Sequence, residues 1–381
     1  MSEEAAGRHR LSDRQRLAWL RLLRSENVGP RSFRELVNRF GGAEQALEAL
    51  PGLARAGGRQ EIRVASLDAA ERELTAVAAA GASLAAPGEP GYPPALAQIY
   101  DAPPLICVKG QMALAGRRIV AVVGARQASA LGRRMAALIA RDLGERGYVV
   151  ASGLARGVDA AAHAASLESG TIAALAGGID TVYPPENAGL HQDIGARGLL
   201  ISEMPIGLNP GARHFPRRNR LISGMSLGVA IIEAARRSGS LITARMALEQ
   251  GREVFAVPGS PLDPRAEGAN RLIREGATLT RAADDIVEVL EPMLRTLHDE
   301  AETDGLADFD EDAAISPPDP PSEDARRAIG LLLSVSPTTI DDIIRQSGID
   351  TANVTGVLLE LELAGRLIRH RGQQVSLAPD A

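Results

Sequence analysis

Tyr148-Val-Val-Ala-Ser152-Gly153-Leu-Ala155-Arg-Gly157-Val-Asp159-Ala-Ala-Ala-His163 is the stretch that decides the fold. It opens on a short, continuously apolar run, the pattern of a parallel strand covered on both faces. Small residues follow at 152, 153, 155 and 157, and a helical pattern then runs from Val158 to Glu168. Backbone amides left open by such a turn can form an anion cradle. Asp159 falls in the first helical turn, where the helix dipole favours a carboxylate. His163 is four residues on, on the same helical face, so Asp159 can orient it. The pair could act as a general base, but no nucleophile or second acid accompanies it. A hydrogen-bonded pair that shapes the loop is the preferred reading.

The same pattern recurs on both sides. Apolar runs stand at Ile119–Val123, Thr171–Leu175, Leu199–Ser202, Gly228–Glu233 and Glu253–Val257. Helical patterns separate them at Arg133–Arg146, Arg220–Met225 and Ile242–Gln250. This alternation predicts an α/β fold with a doubly wound, mostly parallel, Rossmann-like sheet. Such sheets bind ligands beyond the C-terminal ends of their strands.

Three further motifs sit at those predicted ends. Gly124-Ala125-Arg126 follows a strand and precedes a helix, so a phosphate could approach the turn and Arg126 could grip it. The full GxGxxG spacing is absent, so no nicotinamide cofactor is indicated. Arg213-His-Phe215-Pro-Arg-Arg218-Asn219-Arg220 flanks one aromatic with basic side chains. Arginines neutralise phosphates and Phe215 can stack on any base, which is the footprint of single-stranded nucleic acid. Glu233 and then Ser238-Gly239-Ser240-Leu-Ile-Thr243 repeat the strand, small-residue turn and helix start. Hydroxyls and amides there suit a phosphate oxygen, and N-capping by Ser240 is the plain alternative.

Composition bounds the rest. Hydrophobic residues make up 45% and charged residues 24% of the 381, as in ordinary globular proteins. No apolar run spans a bilayer and no signal peptide is visible, so a cytoplasmic, membrane-free protein is expected. One cysteine, Cys107, excludes an internal disulfide and reads as a small buried hydrophobe. The net charge of −6 hides eleven acids between Asp299 and Asp324; without them the remainder is +5, which allows a polyanionic partner. Lys109 is the sole lysine, so phosphate contacts fall to arginine.

The chain divides into a helical domain over 1–64, a Rossmann-like domain over 65–297, an acidic Pro-containing linker over 298–322 and a domain over 323–381. In the first, Val28-Gly29-Pro30 between two helical patterns resembles a helix-hairpin-helix, but the motif is short and plain helical packing is the preferred reading. The last shows three helical patterns and a hairpin turning at Gly372, which spells a winged helix. Its candidate recognition helix, Thr351–Ala364, has no Lys or Arg and carries Glu360 and Glu362, so this domain is expected to meet protein instead of duplex DNA.

Taken in order, Ser152-Gly-x-Ala-x-Gly-x-Asp159, His163, Tyr183-Pro184, Ser202-Glu203, Phe215-Pro-x-Arg-Asn-Arg220, Ser238-Gly-Ser-Leu-Ile-Thr243 and Pro258-Gly259 resemble the DprA/Smf family over about residues 90 to 278. The resemblance implies a Rossmann-like core that binds single-stranded DNA, forms a homodimer and loads RecA recombinase in natural transformation, with no cofactor, metal or turnover. It implies a DNA site drawn from Gly124, Arg126, Ser152, Gly153, Ala155, Gly157, Arg213, Phe215, Arg218, Asn219, Arg220, Gly239, Ser240 and Thr243, with Asp159 and His163 as a structural pair. The basic residue often found three positions before the Phe is Ala212 here, with Arg213 beside it. The competing reading is a nucleotide-processing enzyme similar to nucleoside-monophosphate phosphoribohydrolases. Their loop carries a following catalytic Glu; here no Glu follows before Glu249.

Overall fold

Valine, isoleucine and alanine at successive positions of Ile119–Gly124 give that strand two apolar faces. In the computed structural model, which describes residues 10–300, 319–370 and 372–379, both faces are covered. Ile119, Ala121 and Val123 join one core cluster, whereas Val120 and Val122 join another on the opposite side. Each large side chain so buried contributes roughly 1.5–3 kcal/mol of transfer free energy.

Two compact units emerge, one centred on Glu73–Ala307 and one joining Leu11–Arg72 to Asp308–Ala381. Helices α1 (Asp13–Arg24), α2 (Pro30–Phe40), α3 (Ala43–Ala56) and α4 (Leu67–Ala79) come first in the chain. The sheet unit follows with β1 (Ser83–Ala85), α5 (Pro94–Ala97), β2 (Ile106–Gly110), β3 (Ile119–Gly124), α6 (Ala130–Glu145), β4 (Val149–Ser152) and α7 (Val158–Ser166). It continues through β5 (Thr171–Leu175), α8 (Ala188–Arg197), β6 (Leu199–Ser202), α9 (His214–Gly224), β7 (Gly228–Ile232), α10 (Ser240–Glu249), β8 (Glu253–Ala256), α11 (Glu267–Arg274), β9 (Thr278–Leu279) and α12 (Ala283–Glu300).

The sheet order is β1-β2-β6-β5-β4-β3-β7-β8-β9. Strands β3 to β9 are parallel, and β2 joins β6 antiparallel. The six strands read from sequence are all present, within a residue or so at their ends. Helices α5, α9 and α10 cover one face through Leu96, Leu221, Ile222, Ala244 and Ala247. Helices α6, α7 and α12 cover the other through Ile139, Leu143, Val158, Ala162 and Ile286. Cys107 is buried in β2, as expected of a small hydrophobe. Among the described residues no helix is long and apolar enough to cross a membrane.

In the second unit, Ser12 and Gln15 form a capping box at the start of α1, and Pro30 opens α2. Trp19 meets Phe33 edge-on at 5.0 Å. The C-terminal part holds α13 (Glu323–Leu332), β10 (Thr338–Thr339), α14 (Ile340–Ser347), α15 (Thr351–Leu363), β11 (Leu367–Arg369) and β12 (Gln374–Leu377). Three helices and a three-stranded sheet of order β10-β12-β11 make the expected winged helix. Its core is Ile329, Ile340, Ile343, Val354, Val357, Leu358 and Val375. The expected acidic linker falls for the most part outside the described residues.

Candidate functional site

Because β3 to β8 run parallel, the loops leaving their C-terminal ends share one edge of the sheet. Strands β4, β5 and β6 step away from β3 in one direction and β7 and β8 in the other. The crevice between the β3 and β7 loops is the topological switch point. The expected motifs therefore do gather on a single rim.

On the β3 to β6 side of that rim stands an aromatic and cationic platform. Arg126 lies over the Phe215 ring, with its guanidinium carbon 4.9 Å from the centroid. Tyr183 packs against Phe215, with ring centroids 5.5 Å apart and planes inclined at 55°. Arg126 comes from the β3 loop, Tyr183 from the β5 loop and Phe215 from the first turn of α9. They wall a cleft of about 200 Å³, whose lining also includes Gln127, Arg156, Thr181, Pro210 and Arg218. Arg126 and Tyr183 are exposed and Phe215 is half-buried, so a flat ring could reach them. Sequence places Tyr183 in a motif without indicating a role for it; the available signal is its place in the loop after a predicted strand.

The loop after β4 does not serve as an open anion cradle. Its amides are spent on its own helix: Gly153 N and Ala155 N donate to Asp159 Oδ2 at 3.2 and 3.3 Å. Leu154 N donates to His163 Nε2 at 3.3 Å. Leu154 holds a left-handed φ of 54°, a conformation costing roughly 1–3 kcal/mol for a non-glycine residue. The His163 bond and Asn187 Nδ2, which donates to Leu154 O at 2.9 Å, hold it there. Gly157 also has positive φ, and a Cβ there would meet Ala125 O at 2.3 Å. Thus Asp159 and His163 are the loop-shaping pair, acting on backbone rather than on each other.

His163 is fully buried, and its partners fix its tautomer. Thr171 Oγ1 donates to Val150 O, so it must accept from His163 Nδ1–H, 2.7 Å away. Burial, with the Arg218 charge adding to it, pushes the imidazole down to about 3. Burial pushes the Asp159 carboxyl upward, while Arg218 and the Ala155 and Gly153 amides act the other way. Arg218 is itself lowered to about 10 by burial and stays charged at neutral pH. It donates to Gly153 O and, at 2.8 Å, to Ala174 O, tying the β4 loop to β5. One edge of it borders the cleft, but its hydrogen bonds belong to the fold.

Several other expected contacts are likewise committed. Ser152 Oγ donates to Val122 O at 2.7 Å and is wholly buried. Gly124 serves strand packing, because a Cβ there would stand 1.8 Å from Ile232 O. The N-terminus of α6, expected to draw a phosphate, already holds a carboxylate. Glu233 Oε2 accepts from Ser129 N at 2.8 Å, and its Oε1 accepts from Ser129 Oγ. Arg220 is buried, donating to Asp101 O at 2.6 Å and pairing with Glu203. Sequence patterns cannot separate a helix dipole that awaits an anion from one served by a side chain a hundred residues away.

In the turn before α10, Ser238 N donates to Ala235 O at 2.9 Å and Ser240 N to Ser238 Oγ at 3.4 Å, which leaves the Gly239 amide and the hydroxyls as the groups that could meet a phosphate. Gly239, not Ser240, is the N-cap of α10 and makes no side-chain cap bond. A Cβ at Gly239 would meet nothing within 4 Å. Ser238 Oγ and Ser240 Oγ lie 2.8 Å apart, Thr243 is buried, and Asn219 Nδ2 lies 3.5 Å from Gly239 O. Arg213 is exposed just before α9, its Nε 3.2 Å from His214 Nε2.

Comparison with known proteins agrees with this architecture. The family described as DNA recombination-mediator protein A matches residues 83–291. A DprA-like N-terminal HHH domain matches residues 13–76, and a DprA winged helix domain matches residues 313–373. Protein Smf of Escherichia coli is 40% identical over 291 residues, 75% of each chain. The DNA processing protein DprA of Bacillus subtilis is 44% identical over 202 residues, 52% of this chain and 68% of that one. The X-ray structure of DprA from Streptococcus pneumoniae superposes with TM-score 0.61 and 32% identity, over 73% of this chain and 98% of that one. DprA from Helicobacter pylori, whose structure was described for its single-stranded DNA binding mode, gives 0.51 and 28%, over 55% and 96%. With family matches to its core and both flanking segments, and a relative 40% identical over three quarters of each chain, the chain belongs to the DprA/Smf family of DNA-processing proteins.

Proposed function

We propose that this protein binds single-stranded DNA across the strand-end rim and loads RecA recombinase onto it, in natural transformation and homologous recombination. The observation that carries the reading is the Arg126–Phe215–Tyr183 platform. Unpaired bases expose π-faces that stack on such rings without regard to sequence, each worth roughly 1–3 kcal/mol. Duplex bases are already stacked on one another and offer no free π-face to such rings. Phosphates of the same strand would run past Arg126, Arg213 and Asn219 to the Gly239 amide and the hydroxyls of Ser238 and Ser240.

The protein acts by holding its ligand, without turnover or cofactor, in the cytoplasm and as a homodimer. Asp159 and His163 supply no acid or base in this reading, since both are spent on backbone amides. Gel-shift titration with single-stranded and duplex oligonucleotides, repeated with RecA, tests it. Preference for the single strand and faster RecA filament formation are expected. Equal affinity for both forms would refute the DNA reading, and release of free base from mononucleotides would favour the enzyme alternative.

A further inference from the structure

Helix α15 occupies the place of the recognition helix in a winged helix, which must be exposed and basic to enter a DNA groove. Here it is neither. Val354, Val357, Leu358 and Leu361 form one stripe at i, i+3, i+4 and i+7, turned into the winged-helix core. Gly356, Leu359, Glu360 and Leu363 repeat that spacing on the opposite side, and all four are buried. A helix buried all round needs a second partner beyond its own domain.

That partner is the helical domain at the other end of the chain, in the same compact unit. Helices α2 and α3 pack on α15. A Cβ added at Gly57, just after α3, would come within 2.1 Å of Glu360 O, so the two backbones nearly touch. Asn27 Nδ2 donates to Leu363 O at 2.9 Å, and Arg366 Nη1 donates to Gly57 O at 3.2 Å. Arg369 bridges Glu35 of α2 at 2.8 Å and Glu362 of α15 at 2.6 Å. Direct hydrogen bonds, a shared ion pair and glycine-mediated approach are marks of a built interface.

We propose that the winged-helix domain is a clasp: α15 is a protein-docking helix, its occupant is the chain's own N-terminal helical domain, and duplex DNA is not its ligand. The acids on α15 are likewise spent on protein: Glu362 pairs with Arg369, and Glu360 pairs with Arg326 of α13 while its backbone carbonyl faces Gly57, so neither is arranged to meet a phosphate.

Hydrogen exchange on the full-length protein tests the clasp with two independent variants. Gly57→Leu wedges the contact at a residue whose φ of −74° accepts any side chain. Glu35→Arg reverses the charge facing Arg369. Each is expected to speed exchange in α15 and the last turn of α3 roughly tenfold, with β3 and β7 unchanged as the check on folding. Adding a duplex oligonucleotide to the parent protein should leave α15 exchange as it was. The proposal is overturned if both variants exchange in α15 at the parent rate, or if duplex DNA protects α15.

Discussion

Lowering the pH should destabilise the sheet unit through one residue, His163. Its Nε2 must accept the Leu154 amide hydrogen, because its Nδ1–H is already given to Thr171. A proton on Nε2 would set two donors against each other in a dry site. The imidazole titrates near 3 when folded and at about 6.5 when unfolded. The unfolded chain therefore binds more protons in the window between those values, so stability rises with pH. The contribution is fully present above about pH 6.5 and is lost as pH falls toward 3. Between about pH 7.5 and pH 5 the loss is about 2 kcal/mol, since one pKa unit is worth about 1.4 kcal/mol. His163→Gln keeps one acceptor and one donor but cannot titrate. Urea unfolding followed by far-UV circular dichroism at both pH values should give the parent a pH-dependent loss that exceeds the variant's by about 2 kcal/mol. Carboxylates contribute equally to both proteins and cancel. An excess below about 0.5 kcal/mol, or an NMR titration of His163 with a midpoint near 6, would refute the reasoning.

Three further substitutions probe the rim. Arg126→Ala should weaken single-strand binding and reduce the slope of log affinity against log salt by roughly one phosphate, read by anisotropy titration across a salt series. Arg220→Met should cost about 1–3 kcal/mol in thermal or urea denaturation, because it removes the hydrogen-bonded partner of Glu203 and leaves that carboxylate only Arg217, 3.9 Å away. Gly153→Ala should cost about 1–3 kcal/mol, since the new Cβ would stand 2.2 Å from Arg218 Nη1, and two carbonyls prevent that guanidinium from moving aside.

Much of the fold is legible in sequence because the parallel strands are continuous apolar runs punctuated by glycine and serine. What escaped includes two long helices, α4 and the 18-residue α12, which contains Pro292; the rest was short or weakly patterned. β1 and β9 have three and two residues, too few to show any period. β2 follows Pro103-Pro104 and pairs antiparallel, and α8 carries few apolar positions, chiefly Leu190 and Ile194. The site was legible as a location more than as a contact list. Strand-end turns do share one rim, but Asp159 and Glu233 fill two of the expected anion sites from within. Arg218 and Arg220 look like phosphate ligands in a basic run, yet α9 turns them inward to backbone and Glu203. The buried outer stripe of α15 was equally hidden, because its partner lies some three hundred residues earlier in the chain.

Anisotropy titration of a labelled oligothymidine against parent and Phe215→Ala protein measures the stacking platform itself. Loss of one stacked base should weaken binding by roughly 1–3 kcal/mol, or about five- to two-hundred-fold, while the melting curve stays close to the parent's. Unchanged affinity in Phe215→Ala, with the protein folded, would contradict the account.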